Sequence, residues 1–139
     1  MSDGRAFFDT NVLLYMFSTA EPEKQLKARQ LYREFAATNR IQLSTQVVQE
    51  FFAVATRKLR LPRQQVVELT ESFLNLSVVT IDVTHIRYAI DLEGRYQISF
   101  WDALILAAAE SADVEVLYSE DLNHGQRYGA VLVQNPFAN

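Results

Sequence analysis

The sequence predicts an α/β domain with a mainly parallel central sheet. Short apolar runs typical of strands alternate with longer segments of helical periodicity. No long Gly-, Ser- or Pro-rich tract interrupts the 139 residues, so we expect one domain over 1–139. Strands separated by helices usually pair in parallel, because a helical crossover brings the chain back in the same direction. We therefore expect about five short strands with helices on both faces.

The first half of the chain is predicted to contain two strands and four helical segments. Pro22 marks a helix start, since proline is favoured in the first helical turn. Pro62 marks a helix end, because the residue before a proline avoids the helical conformation. In chain order, the predicted elements are the strand AFF at 6–8, one or two helical turns within 11–18, a helix at 22–38, the strand IQLS at 41–44, and helices at 45–59 and 63–75.

The second half is predicted to contain three strands and two helices. The segment SFWDALILAAAES is apolar on all sides, which is typical of a central, buried helix. The predicted elements are the strand VVTI at 78–81, helices at 84–96 and 99–112, and the strands VEVLY at 114–118 and AVLV at 130–133. In such sheets, ligands bind outside the carboxyl ends of the strands.

Charge is divided unevenly along the chain, although the net charge is only -4. Residues 24–63 carry about +7, whereas residues 64–139 carry about -8. This division suits a polyanion on one face and a cation on the other; two solvated helix faces are the alternative.

Cysteine is absent, which excludes disulfides and thiolate metal sites. No apolar stretch approaches the roughly 20 residues needed to span a bilayer. Asp9 and Asn11 interrupt the apolar region that a signal peptide requires. We therefore expect a cytoplasmic protein with no membrane association.

Two acidic residues lie just beyond the carboxyl ends of predicted strands. Asp9 follows the strand at 6–8, and Asp121 comes soon after the strand at 114–118. Each would lie at the carboxyl edge of the sheet. The alternatives are that Asp9 or Asn11 caps the helix that follows, and that Asp121 belongs to a polar turn.

Two further acids lie on predicted helices. Glu50 is at the edge of an apolar helix face, where a solvated glutamate is the alternative. Asp102 begins the helix that is apolar on all sides, and it has capping-box spacing from Ser99. Asp102 can both close the helix N-terminus and contribute to a functional site, since the first turn of a buried helix faces the same edge as the strand ends.

If these acids converge, the repulsion between their negative charges must be compensated. Two carboxylates about 4 Å apart repel by roughly 4 kcal/mol at an effective dielectric constant of 20, so a cluster needs raised pKa values or a bound cation. All-oxygen ligands select a hard ion such as Mg²⁺ or Mn²⁺. Zinc is disfavoured, because cysteine is absent and the only histidines are His85 and His124. We interpret His124 as a surface turn residue and not as a metal ligand.

The ordered motifs FFDTNVLLY, SFWDALILAAA, LYSEDLNHG and VLVQNPF resemble those of PIN-domain proteins over nearly the whole chain. In particular, the chain is similar to the toxin half of VapBC-type toxin–antitoxin pairs. This resemblance implies a three-layer α/β/α fold and a metal-dependent endoribonuclease. It also implies a small antitoxin partner, a homodimer and an RNA substrate. The alternative is a catalytically silent PIN domain that binds RNA or protein.

By position, the resemblance assigns the catalytic and metal-binding acids to Asp9, Glu50, Asp102 and Asp121. Glu120 adjoins Asp121 and competes with it for the fourth position; the [TS]-x-D pattern favours Asp121. The expected supporting residues are Thr10, Asn11 and Ser119, and the expected phosphate contacts are Arg57, Lys58 and Arg60. Another aspartate-based phosphate enzyme is disfavoured, since D-T-N stands where a dehalogenase-like phosphatase has D-x-D.

Overall fold

A computed structural model of the protein describes residues 4–138. The described residues form six helices and six strands. In chain order these are β1 (Ala6–Phe8), α1 (Thr10–Tyr15), α2 (Pro22–Ala36), β2 (Ile41–Ser44), α3 (Thr45–Arg57), α4 (Arg63–Leu74), β3 (Ser77–Val79), α5 (Val83–Tyr96), α6 (Phe100–Ser111), β4 (Val116–Tyr118), β5 (Arg127–Tyr128) and β6 (Val131–Gln134).

The strands form one sheet in the order β3-β2-β1-β4-β6-β5. All neighbours pair in parallel except β5 and β6, which are antiparallel. Phe7 of β1 aligns with Gln42 of β2 on one side and with Leu117 of β4 on the other. The carboxyl ends of β1, β2 and β4 therefore lie side by side. The predicted α/β class with a mainly parallel sheet is confirmed.

The core is built around β1 and α6. Every residue of β1 is fully buried, and α6 is buried continuously over 103–109. This confirms that the apolar helix is central. Between α3 and α4, the rings of Phe51 and Phe73 pack edge to face with centroids 4.9 Å apart. The core thus fixes the end of β1, which Asp9 directly follows, and the start of α6, which carries Asp102.

The prediction of about five strands missed β5. This strand has two residues and forms a tight hairpin with β6 through Gly129, whose φ of 60° favours glycine. The segment 127–128 is too short to show an alternating pattern, which explains why periodicity did not detect it.

Several predicted element bounds were wrong by a few residues. The strand predicted at 78–81 is Ser77–Val79, because the Ile81 N–H leaves the sheet and donates to Thr45 Oγ1 at 3.1 Å. The strand predicted from residue 114 begins at Val116, since the Val114 N–H instead bonds to the end of α6. The helical turns predicted to reach residue 18 end as α-helix at Tyr15 and continue as a turn.

Among residues 4–138, no helix is both long enough and apolar enough to cross a bilayer.

Candidate metal centre

Three of the four predicted acids meet at the carboxyl edge of the sheet. Asp9, Asp102 and Asp121 each offer one carboxylate oxygen, and these three oxygens lie within 4.8 Å of one another. Asp9 directly follows β1, and Asp121 lies beyond the end of the adjacent strand β4. Asp102 is in the first turn of α6, which faces the same edge. The parallel strand order therefore brings together residues that are far apart in sequence.

Asp9 is the buried member of the cluster, with only 5% of its surface exposed. Its Oδ1 accepts a hydrogen bond from the Thr10 N–H at 2.7 Å, and its Oδ2 accepts one from the Ser119 hydroxyl at 2.8 Å. It is also the N-cap residue of α1, so the capping alternative is correct as well. Burial raises the pKa of Asp9 to about 7 against the lowering effect of the two hydrogen bonds, and the charges of Asp121 and Asp102 add to the increase.

Asp102 is half-buried at the start of α6. Its backbone N–H donates to Ser99 Oγ at 3.0 Å, which makes Ser99 the N-cap of the helix. Burial raises the pKa of the Asp102 carboxyl; a hydrogen bond with Ser99 opposes this, while the charges of Asp121 and Glu50 reinforce it. Ser99 therefore supplies the cap, and the Asp102 carboxylate lines the cavity.

Asp121, and not the adjacent Glu120, belongs to the acidic cluster. Asp121 Oδ2 accepts a hydrogen bond from Asn11 Nδ2 at 3.2 Å, and its N–H donates to Ser119 Oγ at 3.1 Å. Burial raises the pKa of the Asp121 carboxyl, and the negative charge of Glu120 adds to this. Of the two neighbouring acids, only Asp121 has a carboxylate oxygen grouped with those of Asp9 and Asp102.

Glu120 is held on the other side of the turn by a group that we call the Lys24 clamp, formed by Tyr15, Lys24, Glu120 and Phe137. Glu120 accepts hydrogen bonds from the Tyr15 hydroxyl at 2.6 Å and from Lys24 Nζ at 2.8 Å. Lys24 Nζ lies 4.7 Å from the Tyr15 ring centroid and 5.4 Å from that of Phe137. The bond to Glu120 raises the pKa of Lys24, which stays protonated. The clamp anchors the turn that carries Asp121.

Glu50 lies in the same cavity but outside the group of three. Its Oε1 accepts a hydrogen bond from Thr10 Oγ1 at 2.7 Å. The three residues predicted to support the acids, Thr10, Asn11 and Ser119, each hydrogen-bond to at least one of them.

The acids line an open cavity of about 340 Å³. Lys58 also lines it, whereas Arg57 and Arg60 are exposed but absent from its walls. Sequence reasoning missed Gln46 and Trp101, which complete one side of the cavity. Trp101 had a usable signal, since it directly precedes Asp102 in the first turn of the helix.

The donor set fits a divalent metal ion. Three carboxylates converge, and among the residues that line the cavity Lys58 is the one cationic side chain. Such a concentration of negative charge is stabilised either by protonation or by a cation, and carboxylate oxygens are ligands for hard divalent ions.

A second polar group resembles a catalytic triad but is a helix cap. His85 Nε2 lies 2.9 Å from Ser111 Oγ, and His85 Nδ1 lies 3.1 Å from Asp82 Oδ1. However, the Asp82 backbone N–H donates to His85 Nδ1 as part of a capping box. His85 Nδ1 is therefore part of the cap of α5, and the Ser111 hydroxyl donates to the Ala108 carbonyl at 2.8 Å within α6.

Fold and site together define an α/β protein with an acidic centre of metal-binding type at the carboxyl edge of its sheet. The PIN domain family model matches residues 6–129. The chain therefore belongs to the PIN domain family, as its motifs predicted.

Solved structures confirm the fold. A toxin–antitoxin complex from Klebsiella pneumoniae matches with a TM-score of 0.72 and 20% identity over 95% of this chain and 98% of that chain. VapC20 of Mycobacterium tuberculosis, described as a sarcin–ricin loop cleaving toxin, matches with a TM-score of 0.66 and 17% identity over 84% and 89%. DNA-bound VapBC from Salmonella typhimurium matches with a TM-score of 0.67 and 17% identity over 95% and 98%. No curated protein sequence matches the chain.

Proposed function

We propose that this protein is a metal-dependent endoribonuclease and the toxin of a toxin–antitoxin pair. The observation that carries the proposal is the convergence of the Asp9, Asp102 and Asp121 carboxylates within 4.8 Å at the sheet edge. We assign them as ligands of Mg²⁺ or Mn²⁺, because an all-oxygen donor set selects these ions. Membership of the PIN domain family supports nuclease chemistry.

RNA as the substrate and a small protein as the partner are supported by the structural neighbours. One neighbour is described as a toxin that cleaves the sarcin–ricin loop, and others were solved as toxin–antitoxin complexes. Each of them covers most of this chain. We extend these descriptions to the present chain as part of the proposal.

Each acid contributes differently to the proposed chemistry. When bound, a divalent ion supplies the positive charge and Lewis acidity that phosphodiester hydrolysis requires. Asp9 anchors the buried side of the site, and the exposed Asp121 lies on the side open to solvent. Glu50 is oriented by Thr10 and can accept a proton from an attacking water. Lys58 provides a positive charge for a substrate phosphate at the cavity wall.

The proposed homodimer is supported by one exposed apolar face. Val83, Ile86 and Ile90 lie on the same side of α5 and are 42–59% exposed. An uncovered row of large apolar side chains at helical spacing is typical of an interface. Sedimentation of the wild type and of Ile86→Glu tests this: the substitution should shift a dimer to monomers.

The metal site is tested by calorimetric titration of Mn²⁺ into metal-stripped wild type and Asp102→Asn at equal salt. Asp91→Asn is the matched control, because Asp91 is an exposed acid on α5 outside the cavity. We expect saturable binding in the wild type and the control, and its loss in Asp102→Asn.

Cleavage is tested in parallel on structured RNA with Mg²⁺, Mn²⁺ or excess EDTA. We expect cleavage with either ion, none with EDTA, and inhibition by the antitoxin protein. Identical cleavage in EDTA would contradict the metal mechanism. Metal binding with tight RNA binding but no cleavage would instead favour the silent binding module.

A further inference from the structure

Trp101 is the only tryptophan of the chain, and its side chain is unusually open to solvent. The residue is 62% exposed, more than any other large apolar residue described. It lies next to Asp102 in the first turn of α6 and lines the cavity of the acidic cluster. An exposed aromatic ring that lines a cavity is available for contact with a ligand in that cavity.

The position of Trp101 is fixed by its neighbours. Its backbone carbonyl accepts a hydrogen bond from Gln46 Nε2 at 3.3 Å, which links the first turns of α3 and α6. Its ring packs edge to face against Phe100, with centroids 5.2 Å apart and an interplanar angle of 76°. The backbone of Trp101 is thus fixed beside the acids, and its ring has one aromatic neighbour.

The chemistry around Trp101 matches that of a nucleotide. Gln46 lines the cavity next to Trp101, and its Nε2 group donates to the Trp101 carbonyl. Lys58 lines the same cavity and supplies a cation for phosphate. Apolar surface comes from Leu14, Val54 and Ile105. A nucleotide combines a flat aromatic face and a phosphate in one molecule.

We propose that Trp101 is the stacking site for an unpaired nucleobase next to the scissile phosphate. The proposal rests on the proposed function, because the acidic cluster defines where the scissile phosphate lies. Bases within a duplex are already stacked on both faces and cannot reach the ring. Stacking on an aromatic side chain accepts any base, so this site selects strandedness and not sequence.

The test uses fluorescein-labelled octauridylate, a fully abasic ribose-phosphate octamer, and the same octauridylate strand in a duplex. Binding is followed by fluorescence anisotropy in Mg²⁺, with Trp101→Ala and Trp101→Phe each placed in an Asp121→Asn background that prevents cleavage. Leu26→Ala is the matched control, since Leu26 is 58% exposed on α2 and does not line the cavity. Cleavage of the single strand is measured in parallel with Asp121 intact.

We expect Trp101→Ala to weaken binding of the single strand about 5- to 150-fold, the range for loss of one stacked base. Trp101→Phe should retain most of the affinity, and Leu26→Ala should bind as the background does. The abasic octamer and the duplex should bind equally with or without the tryptophan. Equal single-strand affinity in Trp101→Ala, or an equal loss with the abasic octamer, would overturn the proposal.

The outcomes separate this proposal from the proposed function. Trp101-dependent binding without cleavage by any Trp101 form would support the stacking site and reject the nuclease. Cleavage of RNA together with binding that does not depend on Trp101 would support the nuclease and reject the stacking site. Absence of both binding and cleavage would reject both.

Discussion

Replacement of the buried acid Asp9 by asparagine should stabilise the metal-free protein while destroying its metal site. Burial raises the pKa of Asp9 from 3.8 to about 7. Between these values the native state binds more protons than the unfolded state, so the free energy of unfolding falls as pH rises. The stabilisation of the native state by the proton on Asp9 is complete below pH 3.8 and lost above pH 7. The total is about 4 kcal/mol, at roughly 1.4 kcal/mol per pH unit.

Asparagine retains the local contacts of Asp9 without its charge. It caps helices as well as aspartate does, so the bond from the Thr10 N–H is kept. Its amide can donate to the Ser119 hydroxyl, which donates to Asp9 in the wild type. The difference in stability between Asp9→Asn and wild type should therefore grow by about 3 kcal/mol from pH 5 to pH 8.

Urea denaturation in EDTA at pH 5, 6, 7 and 8 measures this difference. Asp113→Asn is the matched control, because Asp113 is exposed at the end of α6 and asparagine tolerates its positive φ of 56°. Adding Mn²⁺ should stabilise the wild type, since a ligand that binds only the native state raises its stability, and should leave Asp9→Asn nearly unchanged. A pH-independent difference, or a variant less stable than wild type at pH 8, would refute the reasoning.

Three further predictions concern the surroundings of the site. Lys24→Met should lower the free energy of unfolding by about 1 kcal/mol in urea titrations, because Glu120 loses its cation; an unchanged midpoint would mean that the Lys24 clamp adds no stability. Lys58→Gln should reduce the log–log salt slope of RNA binding by about 0.7. Arg57→Gln, which is outside the cavity, should change the slope less. Equal slopes in the two variants would mean that Lys58 is only a solvated surface residue. Phe51→Ala should cost about 3–5 kcal/mol in thermal or urea unfolding, since it empties the contact between α3 and α4, and a loss below 1 kcal/mol would contradict that packing.

The fold and the acidic centre were largely predictable because they follow from local patterns. The burial of α6 appears in the sequence as a helix without a polar face. The placement of Asp9 follows from its position after a strand, and parallel pairing then requires its edge to be shared with Asp121. Such inferences need only periodicity and strand direction.

What the sequence did not predict depends on side-chain orientation between distant elements. Lys24 and Glu120 are 96 positions apart, and no pattern in either segment indicates their contact. Gln46 and Trp101 meet only because the first turns of α3 and α6 lie side by side along one side of the cavity. Within the cluster of positive charge, only the three-dimensional arrangement separates Lys58 from Arg57 and Arg60.

The order of the strands also sets the time at which the site can exist. The bond between Ser119 and Asp9 joins residues 110 positions apart, and β4 must enter the sheet beside β1 before that bond forms. A chain emerges from the ribosome from its N-terminus, and long-range pairings form late. A growing chain therefore presents Asp9 without Asp102 and Asp121 for most of its synthesis. If the protein cuts RNA, the transcript and ribosome that produce it meet only an inert intermediate until β4 has docked.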